Sequence, residues 1–197
     1  MRKKEVVFFM SLYHKNGTSR SAGAVFGIEF IVISALLAAM SMALKILSFT
    51  AGPFRIGFEN LPVLMAGILF GPVTGCFVGA CADIVGCVIY GYAINPIITV
   101  GASAVGFVSG FVSKYAFHRS FDSKRFPKVA ACVFSALFFG SVIIKSIGLY
   151  VYFKYPVPLL LMRIPQSLIL GSIESYIIYM LLKSKAFTKQ IERMCRI

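Results

Sequence analysis

Six ionisable residues interrupt long apolar stretches of this chain: Glu29, Lys45, Asp83, Lys145, Arg163 and Glu174. At the centre of a membrane helix such a group costs roughly 2.5 to 3.5 kcal/mol, so it normally faces a bundle interior or a cavity. Glu29 and Lys45 lie near the ends of their apolar runs, where a long side chain can snorkel to the surface. Asp83 stands near the middle of its run and suits either an interhelical hydrogen bond or a ligand. For Lys145, in the outer half of a later run, pocket and snorkelling readings stay open. Arg163, Gln166, Leu170 and Glu174 follow a 3, 4, 4 spacing, which stacks them on one face of a helix. That stripe predicts a polar lining that descends from Arg163 near the outer surface to Glu174 about three turns deeper. A planar guanidinium at a cavity mouth suits a carboxylate, because its fork binds both oxygens; pairing with Glu59 or Asp83 is the structural alternative.

Asn95-Pro96 has the form of a helix start, Asn as cap and Pro at the first position. Its free amides can also favour an anionic or hydrogen-bond-accepting ligand. Arg55, Tyr90, Tyr92, Tyr150 and Tyr152 can add charge and stacking surface, with interfacial anchoring as the other use of each tyrosine. Gly140, Lys145 and Ser146 imitate part of a phosphate loop, but the second glycine is absent and the surroundings read as an apolar helix. No paired carboxylates, nucleophile arrangement or nucleotide-hydrolysing motif stands out, so binding rather than catalysis is expected. The five cysteines are odd in number, four of them in apolar segments, and His14 and His118 stand alone in polar ones. Neither pattern suggests a disulfide framework, a metal site or a cofactor.

The elements that must position these groups are membrane helices. Hydrophobic residues make up 58% of the 197 residues and mean hydropathy is +0.85, too apolar for a water-soluble domain with a polar outer face. Asn60 to Ser113 holds 54 residues with Asp83 as its one charged side chain, whereas a span of the hydrocarbon layer takes ~20. The net charge of +13 comes largely from three clusters: Arg2, Lys3, Lys4, Lys15 and Arg20; Lys114, Arg119, Lys124, Arg125 and Lys128; and Lys183, Lys185, Lys189, Arg193 and Arg196. Clusters at the ends of apolar spans follow the positive-inside pattern, and they lack the aromatic platforms of nucleic-acid binding.

If all three clusters are cytoplasmic, an even number of crossings separates each pair. Val129 to Phe153 and Pro158 to Leu182 supply two. Gly27 to Phe49 supplies one and Phe54 to Ser113 three, divided at Gly71-Pro72 on the inside and Gly91 to Asn95-Pro96 on the outside. The expected fold is an all-α membrane protein, a compact bundle of six transmembrane helices with both termini cytoplasmic. It comprises a tail at 1–24, a membrane domain at 25–183 and a basic tail at 184–197. The amino terminus has only a short apolar part and no convincing cleavage site, so it reads as tail rather than signal peptide. No inverted repeat of the secondary-transporter kind is evident.

Small residues recur every four positions at Ala35, Ala39 and Ala43, and again at Gly67, Gly71, Gly75 and Gly79. Each set makes a smooth stripe for close helix approach. Gly71-Pro72 breaks the glycine series, which therefore reads as a tight helical hairpin. The alanine stripe fits packing within the bundle or a partner protein.

The run from Phe54 to Gly110, with "LPVLMAGILFGPVTG" and "GYAINPIIT", and the later "MRIPQSLILGSIESYIIY" resemble the folate-specific substrate-binding subunits of energy-coupling-factor (ECF) vitamin transporters. The resemblance implies a bacterial cell-membrane protein that binds folate while a transmembrane coupling protein and two cytoplasmic ATPases supply energy. It also implies that Ala35, Ala39 and Ala43 contact the coupling protein and that the whole subunit tilts during transport. Folate joins a flat pterin to a glutamate tail with two carboxylates, so its pocket should combine stacking, amide-type hydrogen bonds and cations. Arg163, Asn95, Gln166, Arg55, Tyr90 and Lys145 are the expected contacts, with pantothenate or a pyrimidine as alternative ligands.

Overall fold

The computed structural model describes residues 28–51, 54–91, 95–117, 125–154 and 156–184. The tails expected at 1–24 and 184–197 lie outside these residues, Ser184 apart, as do His14, Tyr92 and His118. In chain order the elements are α1 (Ile28–Ile46), β1 (Phe49–Ala51), β2 (Phe54–Ile56), α2 (Asn60–Phe70), α3 (Pro72–Tyr90), α4 (Pro96–Phe117), α5 (Arg125–Ala136), a π-helical stretch π1 (Leu137–Ile144), α6 (Lys145–Phe153), α7 (Val157–Leu161) and α8 (Arg163–Lys183).

Among the described residues four stretches are long and apolar enough to cross a membrane: Pro72–Tyr90, Pro96–Lys114, Phe126–Tyr152 and Arg163–Lys183. Ile31–Ile46 and Asn60–Phe70 are shorter apolar helices. Polarity is arranged for lipid: Leu36, Val88, Val100, Ile169 and Met180 are exposed, while Ser41, Asp83, Ser109, Lys145 and Glu174 are buried. A water-soluble bundle would reverse this, because exposed charge and buried hydrocarbon are what water rewards.

At the centre stands α2. Every residue from Leu61 to Ile68 is buried, as expected of a helix that is apolar all round. Its 11 residues rise only about 16 Å, so the second crossing expected from the sequence is only half helical. The chain leading into it is extended, and β1 and β2 pair antiparallel with Thr50 opposite Arg55. This short hairpin was not expected, but the architecture around it is all-helical as expected. Ala51-Gly52-Pro53 separates two short apolar runs, a turn signal overlooked beside the stronger helical pattern.

Gly71 and Pro72 divide α2 from α3 as expected. Gly71 takes φ 96°, a left-handed backbone that favours glycine, and Pro72 opens α3. The two helices fold back against α4 along a seam of small residues. A Cβ on Gly75 would overlap the Gly106 carbonyl, and one on Gly106 would overlap Gly75. Such backbone-to-backbone approach supplies dispersion energy that lipid cannot mimic. Ser109 and Ser113 of α4 reach across to the carbonyls of Leu64 and Ile68 in α2 at 3.5 and 3.4 Å.

The fifth expected span is continuous from Arg125 to Phe153, and its middle is π-wound. The sixth is divided at Met162 into α7 and α8. Within α8, Gly171, Glu174, Ser175 and Ile178 are buried and Ile164, Leu168, Ile169, Ile173 and Tyr176 exposed. The face inferred from Arg163, Gln166, Leu170 and Glu174 is therefore the inward one.

Candidate functional site

Between α1, the start of α2, α3, α4 and α6 lies a cleft lined by Ser41, Lys45, Glu59, Asn60, Val63, Gly79, Ala82, Asp83, Ala102 and Lys145. Much of its space is open at the mouth, and what is enclosed falls far short of the ~300 to 1,000 Å³ of usual small-molecule sites, so a vitamin-sized ligand requires side chains at the mouth to move.

Two ion pairs define its walls. Lys45 Nζ lies 3.2 Å from Asp83 Oδ1, and the Thr99 hydroxyl donates to Asp83 Oδ2 at 2.8 Å. These contacts tie α1, α3 and α4 together. Lys45 passes over Gly86, where a Cβ would come within 2.7 Å of its ammonium. Snorkelling, the surface alternative for Lys45, is thus replaced by an inward pair, since glycine leaves room for the stem. Asp83 serves the interhelical bond that was one of its two expected uses.

Lys145 forms the second pair. Its Nζ lies 3.9 Å from Glu59 Oε1 and 3.5 Å from Asn60 Oδ1, and the residue is 7% exposed. The π-winding explains this placement. In an ordinary helix the five residues from Gly140 to Lys145 turn a side chain by about 140° from the starting face. Here the Lys145 amide bonds to the Gly140 carbonyl, an i→i+5 closure that brings both residues to one side. Gly140 faces α4, where a Cβ would meet Val105 and the Gly101 carbonyl; a Cβ on Gly101 would in turn meet the Lys145 stem at 2.7 Å.

Glu59 was expected only as a possible mate for Arg163, yet it is a wall of the cleft. It stands before α2 with helical backbone angles and makes no side-chain cap bond. Ser41 donates to its carbonyl at 2.6 Å, holding the turn while the carboxylate points toward Lys145. The sequence signal was Glu-Asn-Leu-Pro, with Pro62 in the first turn, where its missing donor is harmless. Glu59 also acts electrostatically on Arg163, and Arg163 on Lys145. Buried Nη1 of Arg163 has no hydrogen-bond partner.

The remaining expected residues are more dispersed. Asn95 is buried and caps α4, its Oδ1 accepting from the Ile97 amide at 3.0 Å, while its Nδ2 has no hydrogen-bond partner. Tyr90 donates to the Lys45 carbonyl at 3.0 Å and so fastens α3 to the end of α1. Gln166 is half-buried one turn along α8 from Arg163. None of these three lines the cleft. Arg55 lies in β2, its side chain outside the described atoms. Tyr150 and Tyr152 are exposed, as anchoring at a membrane interface requires. Ala35, Ala39 and Ala43 are all exposed on α1, so they do not pack within the bundle.

Comparison with known proteins places this arrangement. A family model for the substrate-specific component of ECF transporters matches residues 29–182. Among solved structures, FolT bound with folic acid superposes with a TM-score of 0.65 at 20% identity, covering 81% of this chain and 96% of that one. An S component for biotin gives 0.60 at 20% identity, covering 80% and 92%. The S component of a bacterial ECF transporter gives 0.58 at 19%, covering 78% and 93%. In sequence, the chain is 30% identical over 112 residues to the uncharacterised MG098 homolog of Mycoplasma pneumoniae (strain ATCC 29342 / M129 / Subtype 1). That match takes in 54% of this chain and 23% of the relative, so the chain spans under a quarter of that protein's length. With a matched segment that takes in α1 to α8 almost whole, the chain belongs to the substrate-specific components of ECF transporters.

Proposed function

We propose that this chain binds folate for an ATP-driven ECF importer. The observation that carries the reading is Lys145, a cation that lines the cleft, with Arg163 in electrostatic reach of it and a buried Nη1 that has no hydrogen-bond partner. One cation in the cleft and a second within reach of it suit a ligand with two carboxylates, since charge-assisted hydrogen bonds are the strong ones. The fold shared with FolT bound with folic acid supports the same ligand. Asn95, Gln166, Arg55 and Tyr90 are proposed to close around the ligand as the mouth rearranges.

The chain crosses the bacterial cell membrane six times with both termini cytoplasmic. Its second crossing joins the extended backbone from Phe54 to α2, and irregular backbone at membrane depth is tolerated where protein buries it. The chain itself is a transport component rather than an enzyme, and a coupling protein and two ATPases act with it. Exposed Ala35, Ala39 and Ala43 form the smooth face offered to the coupling protein.

Equilibrium binding to purified protein tests the ligand. Folic acid should bind at micromolar concentration or below, whereas failure to bind, with biotin or pantothenate binding instead, would move the assignment to another vitamin. Arg163→Ala should weaken folic acid binding more than tenfold without unfolding the protein, as loss of a charged hydrogen bond of ~1.5 to 3 kcal/mol implies. Unchanged affinity would remove Arg163 from the site.

A further inference from the structure

We infer that Glu174 is a specificity-determining acceptor of the site, a carboxylate that takes two adjacent N–H donors from the guanidine-like edge of the pterin ring. The inference deepens the folate reading and rests on it. Glu174 is completely buried, and neither of its oxygens has a hydrogen-bond partner. An ionised carboxylate only accepts, and enclosing one without donors is costly. Two donors near it are engaged elsewhere. The Ser175 hydroxyl donates to the Gly171 carbonyl at 2.6 Å, and the Lys145 ammonium turns to Glu59 Oε1 and Asn60 Oδ1. A polar group kept inside under that penalty, and served by nothing in its own bundle, has a use for a donor that comes from outside.

Its placement supports this use. Helix α8 turns Gly171, Glu174, Ser175 and Ile178 inward, and Glu174 lies within electrostatic reach of Lys145 and Glu59, both of which line the cleft. The cleft stops short of Glu174, as it stops short of Arg163 and Gln166, so one opening toward α8 takes in all three. Arg163 and Glu174 stand on one continuous helix, about 16 Å apart along its axis, with half-buried Gln166 and Leu170 between them. That is on the scale of an extended folate, whose ring carries N–H donors at one end and whose tail carries carboxylates at the other. The ring N3–H and 2-amino N–H lie side by side like one edge of a guanidinium, the geometry that a carboxylate receives with both oxygens. With the donors on Glu174 and the anions on Arg163 and Lys145, the polarity of the site fixes the vitamin with its ring innermost.

Competition between folic acid and its 2-deamino-2-hydroxy analogue tests the inference, because the analogue replaces the 2-amino donor by a carbonyl and keeps the tail. The unaltered full-length protein should favour folic acid by more than about tenfold, since a site built around a donor rejects an acceptor in its place. Glu174→Gln is expected to weaken folic acid binding more than about tenfold and to erase that preference, because an amide offers one acceptor and one donor where the carboxylate offers two acceptors. Equal weakening of both ligands, with the preference kept, makes Glu174 a structural group and overturns the inference; unchanged folic acid affinity does so too. Should Glu174→Gln fold poorly, Glu174→Met, which removes both acceptor oxygens, is expected to lose the preference in the same way. A preference retained in that variant overturns the inference as well. The folate reading is checked separately in the unaltered protein. Absence of folic acid binding there removes that reading and the inference together, whereas folic acid binding without preference over the analogue overturns the inference alone.

Discussion

The two ion pairs of the cleft have the same chemistry and opposite finish. Lys45 and Asp83 approach to 3.2 Å, at 11% and 7% side-chain exposure, and Thr99 takes the second carboxylate oxygen. Lys145 and Glu59 stand 3.9 Å apart, and the acid is 23% exposed. The first pair is closed and its partners come from three helices, so it acts as a tie. The second is longer and lies within electrostatic reach of Arg163, whose Nη1 has no hydrogen-bond partner. In lipid a saturated polar network holds helices together, while an incompletely saturated one is a place where a ligand can improve the accounts.

The largest effect that separates them is on stability. Asp83→Ala removes a buried carboxylate that serves both Lys45 and Thr99, and breaking a buried pair this way costs about 3 to 5 kcal/mol. Thermal unfolding in detergent should show a large drop in midpoint for Asp83→Ala and a much smaller one for Glu59→Gln; equal drops would put both pairs in one structural class.

This contrast could be read only partly from the sequence. Gly71-Pro72 and Asn95-Pro96 announce real helix boundaries because their backbone demands are local, and the 3, 4, 4 spacing from Arg163 to Glu174 identifies an inward face because α8 is a regular helix. Lys45 and Lys145 resisted the same reasoning. The inward course of Lys45 depends on Gly86 of another helix, and that of Lys145 depends on π-winding between Leu137 and Ile144, which changes the period by which faces are counted. Glu59 was read only as a mate for Arg163, because it precedes a helix rather than interrupting one. The β1–β2 hairpin was missed because three-residue strands carry little alternating pattern.

Glu174 sharpens the comparison from the other side. It is completely buried, and neither carboxylate oxygen has a hydrogen-bond partner. Glu174→Met keeps a long unbranched side chain and removes the burial penalty, so the protein should gain about 1 kcal/mol of stability. A loss of stability on thermal unfolding would show that Glu174 neutralises Lys145 and belongs with the ion pairs.

The smallest stability effect should come from the outer face. Ala39→Leu on exposed α1 should leave unfolding within about 0.5 kcal/mol of the unaltered protein and folic acid affinity unchanged, while reducing copurification with the coupling protein. Retained copurification would assign the alanine stripe to lipid instead.

The most direct test is the folic acid dissociation constant of Lys145→Gln, measured on protein whose unfolding midpoint is recorded in parallel. Affinity should fall more than tenfold, from loss of one charged contact worth ~1.5 to 3 kcal/mol, with the midpoint close to that of the unaltered protein. Full affinity, or a collapse in stability like that expected of Asp83→Ala, would contradict it by making Lys145 a second structural tie.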